Sequence, residues 1–179
     1  MTPQTTVFNS EETRRLRCRP VSSEDISFLY EVYAGTRQEE LEKTGWTFSE
    51  KEVFLRGQFD AQHRYYSEHY PDGAYEIIVL EDQAIGRFYV DHRKDEMRLM
   101  DIALLPQYRN QGIGSRLLHA LLEKAQAQNK PVRIHVEQFN PAMRLYKRLG
   151  FRHLEDRGVY QFMEWTPDSA SSISGLKGS

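Results

Sequence analysis

Cysteine is almost absent: Cys18 is the only one in 179 residues. A single thiol excludes an internal disulfide and leans towards a reducing, cytoplasmic setting. No apolar run approaches the roughly 18 residues that a membrane span requires. The N-terminus lacks the basic, then apolar, then small-residue order of a signal peptide, so none is expected. Charge of one sign is missing too. Lys and Arg total 24 against 26 Asp and Glu, a net charge of −2, which gives no general attraction to nucleic acid or an anionic membrane. No internal repeat is visible. The apolar content is 39%, enough for a core, and the length is most economically one domain.

The two commonest phosphate-loop patterns are also lacking, although the chain has a stretch shaped like one. An apolar run, Ile102 to Leu105, stops at Pro106, and a polar turn ends in Gly112 and Gly114. Beyond it Ile113, Leu117, Leu118, Leu121, Leu122 and Ala125 recur at helical spacing. This reads as strand, glycine-rich turn and helix start, where unpaired N–H groups and a partial positive charge suit an anion, above all a phosphate. A mononucleotide P-loop would need Gly-Lys-Ser/Thr, but Ser115 and Arg116 follow Gly114. A dinucleotide fingerprint would need a third glycine where Leu117 stands.

The spacing Arg109-x-x-Gly112-x-Gly114 resembles the pyrophosphate loop of the GCN5-related N-acetyltransferase (GNAT) superfamily, which grips coenzyme A. Further on, Val132 to Val136 alternates as a strand does, and Asn140-Pro141-Ala142 opens a second helix. Ala142, Leu145, Tyr146 and Leu149 form its apolar stripe, and Gly150 is its expected stop. The run Asn140 to Phe151 is similar to the superfamily's second coenzyme-A element. The resemblance covers Tyr75 to Trp165 well and the N-terminal third loosely.

Taken in order, the pattern predicts a β-α-α-β-β-β-α-β-α-β-β chain. Arg15 to Pro20 reads as an edge strand, and Ser22 or Ser23 as the cap of a helix with Ile26, Leu29, Tyr30 and Tyr33 on one face, interrupted at Gly35. Ser49-Glu50-Lys51-Glu52 reads as a capping box for the next helix. Its stripes are Phe54, Ala61 and Tyr65, with Leu55, Phe59 and Tyr66 beside them. Strands follow at Tyr75 to Leu80, Ala84 to Asp91 and Met97 to Leu105, then Phe151 to Glu155 and Val159 to Trp165 close the chain. The fold class is α/β with a mixed sheet. The resemblance implies a GNAT-like central twisted sheet of about seven strands flanked by about four helices, its parallel strands splayed at the cofactor site. The expected domain is residues 1–166, with 1–13 frayed, and 167–179 form a Ser/Gly-rich disordered tail.

Acyl transfer to an amine sets chemical requirements. A lysine-like ammonium has a pKa of about 10.4, so deprotonation at pH 7 costs roughly 4 to 5 kcal/mol. A base or desolvation must help, the carbonyl oxygen needs a fixed donor, and the departing thiolate needs a donor or acid. The resemblance implies acetyl-coenzyme A as cofactor and Tyr146 as the group serving the thiolate. From periodicity alone Tyr146 is equally an apolar-stripe residue. The resemblance also implies that Ile102, Ala103, Leu104, Arg109, Asn110, Gln111, Gly112, Ile113, Gly114, Ser115, Asn140 and Tyr146 bind the cofactor, the carbonyl donor being a backbone N–H between Asp101 and Leu104.

Asp101, between apolar Met100 and Ile102, is the leading base candidate, with a hydrogen-bonded structural role as the alternative. His135 and Glu137 share a face of the next strand and are further candidates, and an enzyme with no single base also fits. Arg116, Lys147 and Arg148 read chiefly as solvated helix charges. In relatives, the segment holding Trp46, Phe54, Tyr65, Tyr66 and Tyr70 walls the acceptor pocket, and Glu39, Glu40 and Glu42 there read as an exposed acidic face. The expected activity is direct, ternary-complex acetylation of a primary amine on a small molecule, peptide or protein, without nucleic acid, membrane or metal. A homodimer is left open. The competing reading is a non-catalytic acyl-coenzyme-A sensor with the same fold.

Overall fold

The computed structural model describes residues 16–168. The expected frayed segment 1–13 and the tail from residue 169 on lie outside them. Asp168 exchanges two hydrogen bonds with the Gln126 side chain, its N–H to Oε1 at 3.0 Å and its carbonyl from Nε2 at 3.3 Å.

Among the described residues, seven strands form one mixed sheet: β1 (Leu16–Pro20), β2 (Ala74–Leu80), β3 (Gln83–His92), β4 (Met97–Leu104), β5 (Val132–Glu137), β6 (Arg152–Arg157) and β7 (Tyr160–Trp165). Their order is β1-β2-β3-β4-β5-β7-β6. The β4/β5 pair is parallel, with Met97 opposite Val132, Arg98 opposite Arg133 and Leu99 opposite Ile134. A parallel pair needs a long crossover, here the helix α3 (Ile113–Ala127). The other helices are α1 (Ile26–Glu42), α2 (Phe48–His69) and α4 (Met143–Arg148). This is the predicted element order and count.

The chain groups into two compact units. The first takes the described residues up to Asp91 together with Met100–Gly114; the second takes His92–Leu99 and the described residues from Ser115 on. The first is centred on Leu29, Tyr33, Phe59, Ile77, Val79 and Tyr89. The second buries Leu117, Leu118, Leu121, Leu122 and Ala125 of the α3 stripe predicted from spacing, each at most 7% exposed; Ile113, the stripe's first residue, falls in the first unit and is buried as well. Val132, Ile134 and Val136 of β5 are buried as well, so His135 and Glu137 share the opposite, more open face.

The middle of α1 and the start of α2 differ from expectation. Gly35 does not interrupt α1, because isolated glycine weakens a helix without ending it when packing supports it. Its value is space: a Cβ there would stand 3.2 Å from Pro106 Cδ. The cap of α2 is Thr47, whose hydroxyl accepts from the Glu50 N–H at 3.3 Å while Glu50 Oε2 accepts from the Thr47 N–H at 2.7 Å. The box therefore starts two residues before Ser49, since Thr47 already has the extended backbone that a cap needs.

Cys18 is 2% exposed, and burial, with Glu76 adding to it, pushes its thiol up to about 12. The thiolate is the reactive form, so Cys18 in the folded protein is expected to resist iodoacetamide at pH 8 and to react on denaturation. Equal alkylation rates in both states, followed by mass spectrometry, would contradict the buried placement.

Candidate functional site

In the first unit, β4 runs into the glycine turn as predicted. Leu105 hydrogen-bonds back to β3 (N–H to Ile85 O, 2.8 Å), and a short 3-10 turn at Pro106–Tyr108 follows. Asn110 and Gly112 both have positive φ, 58° and 77°. Only residues tolerant of the left-handed region reverse the chain twice in so few steps. The turn delivers it to Ile113, the first residue of α3, whose opening N–H groups have no partner within the helix.

The Arg109 side chain is occupied within the protein. Its Nε donates to Leu104 O and its Nη2 to Gly35 O, both at 3.1 Å. The guanidinium thus ties the end of β4 and the middle of α1 to the turn. Gly114 is roomy by comparison: an added Cβ would find only Ile102 Cδ1, at 4.0 Å.

Gly86 on β3 is the tight glycine of this unit. A Cβ would collide with the Ala103 carbonyl and come within 3.1 Å of Leu104 Cα. Only glycine lets β3 lie this close to the end of β4. Asp101, Ile102, Ala103 and Leu104 are all half-buried, unlike Met97 and Leu99 earlier in the strand.

The Asp101 carboxylate pairs through Oδ2 with Nη2 of Arg87, which also donates to Gln62 Oε1 at 2.9 Å. The Arg87 side chain is 4% exposed and that of Asp101 18%. Burial works against the guanidinium's charge, but Asp101, with Tyr89 and Tyr66, outweighs it and holds Arg87 above its ordinary pKa. Burial, then Asp101, raises the Tyr66 phenol, whose hydroxyl lies 3.5 Å from Met100 O.

The sequence reading missed Arg87 and Gln62. Arg87 interrupts an apolar strand, between buried Ile85 and Phe88, as Asp101 does. Gln62 falls on the inward stripe of α2 with Leu55, Phe59 and Tyr66. Each was a polar residue at an apolar position.

A cavity of about 550 Å³ also opens in this unit, between α1, the first turns of α2 and Leu105–Gln107. Tyr30, Leu41, Phe48 and Leu55 supply its apolar wall, with Glu42 and Lys51 among its charges. Trp46, Phe54, Tyr65, Tyr66 and Tyr70, in the segment that walls the acceptor pocket in relatives, do not line it, whereas Glu42, read from sequence as part of an exposed acidic face, does.

The second unit holds Ser115, Asn140 and Tyr146. Asn140 caps the turn before α4, its Oδ1 accepting from the Ala142 N–H at 2.8 Å and its carbonyl from Met143 N–H at 3.0 Å. Pro141 and Ala142 form that turn, so α4 starts at Met143, slightly later than predicted. At the far end Gly150 has φ 97°. Its N–H donates to Lys147 O at 3.1 Å, and Phe151 N–H to Tyr146 O at 3.0 Å. These two bonds make a Schellman cap, and the Tyr146 and Phe151 rings meet edge-on at 5.6 Å across it. Tyr146 is 3% exposed. Its ring belongs to the stripe and its position is locked.

His135 lies between two guanidiniums. Nε2 is 2.7 Å from Arg157 Nη1 and Nδ1 is 3.4 Å from Arg98 Nη1, with the ring stacked on Phe162. Burial, then Arg98 and Arg157, push its pKa below the ordinary value, against Glu155 and Glu96. A neutral imidazole held by cations accepts a further proton poorly. Glu137 is exposed.

Among known sequences, the Acetyltransferase (GNAT) domain family matches residues 73–153. Residues 73–153 belong to a GNAT domain. The GNAT segment contains Asp101, the glycine turn, Asn140 and Tyr146. The mouse and human Cysteine-rich protein 2-binding proteins are each 30% identical to this chain over 86 residues, 46% of this chain. The chain covers only 10% of the length of either relative.

Solved GNAT structures share the fold at low identity. The PaiA N-acetyltransferase of Thermoplasma acidophilum, in complex with coenzyme A, has a TM-score of 0.65 at 19% identity, over 84% of this chain and 98% of that one. RimL, a ribosomal L7/L12 alpha-N-protein acetyltransferase also in complex with coenzyme A, gives 0.60 at 14%, over 93% and 99%. Ard1 of Thermoplasma volcanium gives 0.57 at 20%, over 87% and 99%. The GNAT fold thus extends well beyond the matched segment.

Proposed function

We propose that this chain is an N-acetyltransferase, a single catalytic domain over residues 1–166 that moves the acetyl group of acetyl-coenzyme A to a primary amine in one direct step. The observation that supports it most is the left-handed turn at Asn110 and Gly112 opening α3 inside the GNAT segment. The pyrophosphate takes the N–H groups from Gln111 to Ser115, with Asn110 shaping the turn and Arg109 bracing it from behind. The pantetheine arm adds along Ile102, Ala103 and Leu104 as an extra strand would, and Asn140 holds the start of α4. Asp101 receives the acceptor's ammonium, and Tyr146 serves the departing thiolate.

The acceptor is a primary amine of a small molecule, peptide or protein. RimL, by its description, acetylates the α-amine of a protein. We propose a cytoplasmic setting, the reducing compartment that a single buried, free cysteine suits.

The test is thiol release from acetyl-coenzyme A with a panel of alkylamines, aromatic amines, amino acids and short peptides bearing a free N-terminus or lysine. Release with one class supports the reading; binding of acetyl-coenzyme A without release from any would favour the sensor. Gly114→Ala tests the phosphate site. A Cβ fits the protein there, and the substitution removes unfolded-state freedom worth about 0.4–1 kcal/mol. The melting temperature should hold or rise while coenzyme A affinity, by calorimetry, falls at least tenfold. Unchanged affinity would move the phosphates elsewhere.

A further inference from the structure

Arg87 is harder to explain as scaffold than as part of a site. Its side chain is almost wholly buried, yet Nε has no hydrogen-bond partner among the described residues. A buried ion pair adds little net stability over well-packed apolar side chains, and an unpaired buried N–H detracts further. The guanidinium is enclosed by Tyr89 and Tyr33, its central carbon 5.3 and 5.9 Å from their ring centres. Gln62 takes one of its N–H groups from the α2 side. The exposure is asymmetric, because the carboxylate is the open partner. Arg87 thus grips Asp101 from inside by Oδ2, and Oδ1 accepts no hydrogen bond among the described residues.

We propose that Arg87, steadied by Gln62, is a positioning residue for amine acetylation: it fixes Asp101 through Oδ2 and leaves Oδ1 to orient the acceptor's ammonium. This rests on the acetyltransferase reading above and adds to it residues on β3 and α2. The ammonium docks on Oδ1 and gives up its proton there, directly or through water. The freed lone pair forms the N–C bond, the C–S bond breaks, and the second proton lost by the nitrogen ends on the departing thiolate, leaving the amide, the coenzyme A thiol and one proton on Asp101 to be released to solvent. Arginine suits the task because it never loses its charge and its rigid, planar guanidinium fixes the directions of the two Nη2 N–H groups, one to Asp101 and one to Gln62, where lysine's rotatable ammonium would not.

The experiment compares Arg87→Gln, Arg87→Lys, Asp101→Asn and the double variant Arg87→Gln/Asp101→Asn, using acetyl-coenzyme A and whichever amine of the panel is acetylated fastest. Arg87→Gln should raise the acceptor KM at least tenfold and lower kcat, with the Kd for acetyl-coenzyme A unchanged. Arg87→Lys, which keeps the charge without the fork, should fall between it and wild type. The double variant replaces the ion pair with two amides, so it should recover melting temperature relative to the single variants without recovering rate. If it recovers both, the pair is scaffold and the inference fails. A folded Arg87→Gln with wild-type acceptor KM would also overturn it, while a slow Asp101→Asn beside it leaves the acetyltransferase reading intact. If wild type acetylates no amine, that reading itself falls.

Discussion

Tyr146→Phe should leave coenzyme A affinity near wild type and lower turnover roughly 10- to 1000-fold, the range expected for one donor or acid. The substitution is unusually clean. The Tyr146 ring is 3% exposed and packs edge-on against Phe151 across the Schellman cap, so Phe preserves nearly all of its volume and this ring contact. The backbone bonds fixing the residue, its N–H to Ala142 O at 3.0 Å and its carbonyl to the Phe151 N–H, do not involve the hydroxyl. Melting temperature should shift by no more than one hydrogen bond's worth, about 1 kcal/mol. A phenol of pKa near 10 gives its proton uphill to a thiolate near 8.5. The hydroxyl would therefore serve mainly as a hydrogen-bond donor in the transition state, and the loss should appear in kcat. Thiol release at saturating acetyl-coenzyme A, beside calorimetry and melting, decides it. Equal turnover would return Tyr146 to packing alone.

The second half of the chain was more legible than the first, for physical reasons. The α3 stripe, the Asn140 cap and the Gly150 stop are local devices, each written within a few neighbouring residues. The cap of α2 was misplaced because Thr47-x-x-Glu50 and Ser49-x-x-Glu52 both satisfy the capping rule, and only the observed backbone separates them. Gly35 looked like a break because its reason, the approach of Pro106, comes from far along the chain.

The site shows the same divide. The glycine turn could be read from spacing. The occupation of Arg109 by Leu104 and Gly35 carbonyls could not, since one partner is 74 residues away. Asp101 was noticed as an acid among apolar residues, but its partner Arg87 was not, although the same test applied to β3 finds it. A charged residue inside an apolar strand implies a second one opposite, and searching for the pair would have given both.

Glu96→Ala should destabilise the second unit about as much as truncating a core leucine. Glu96 is 4% exposed and lies just before β4. Its Oε1 accepts from Arg93 at 2.8 Å and Arg98 at 3.0 Å, and its Oε2 from Arg133 at 3.1 Å. Arg98 and Arg133 sit opposite one another in the parallel β4/β5 ladder, so one carboxylate bridges both strands. Parallel pairing is slightly weaker per residue than antiparallel, and the carboxylate adds a side-chain tie at one of the three paired positions. Arg93 and Arg133 are about one-third exposed and will be partly resolvated when Glu96 is lost; Arg98, at 13%, will not. Removing one partner of a buried pair costs about 3–5 kcal/mol. Discounted for the two open arginines, the loss should be about 3 kcal/mol, or roughly 6–12 °C in melting temperature for a domain of this size. Glu155→Ala is the control: its pair with Arg157 is about half exposed on both sides, so it should change stability by under about 1 kcal/mol. Parallel urea melts of both variants test this. If Glu96→Ala costs no more than Glu155→Ala, the carboxylate is not what holds β4 to β5, and the strand carrying Asp101 is anchored by its apolar residues alone.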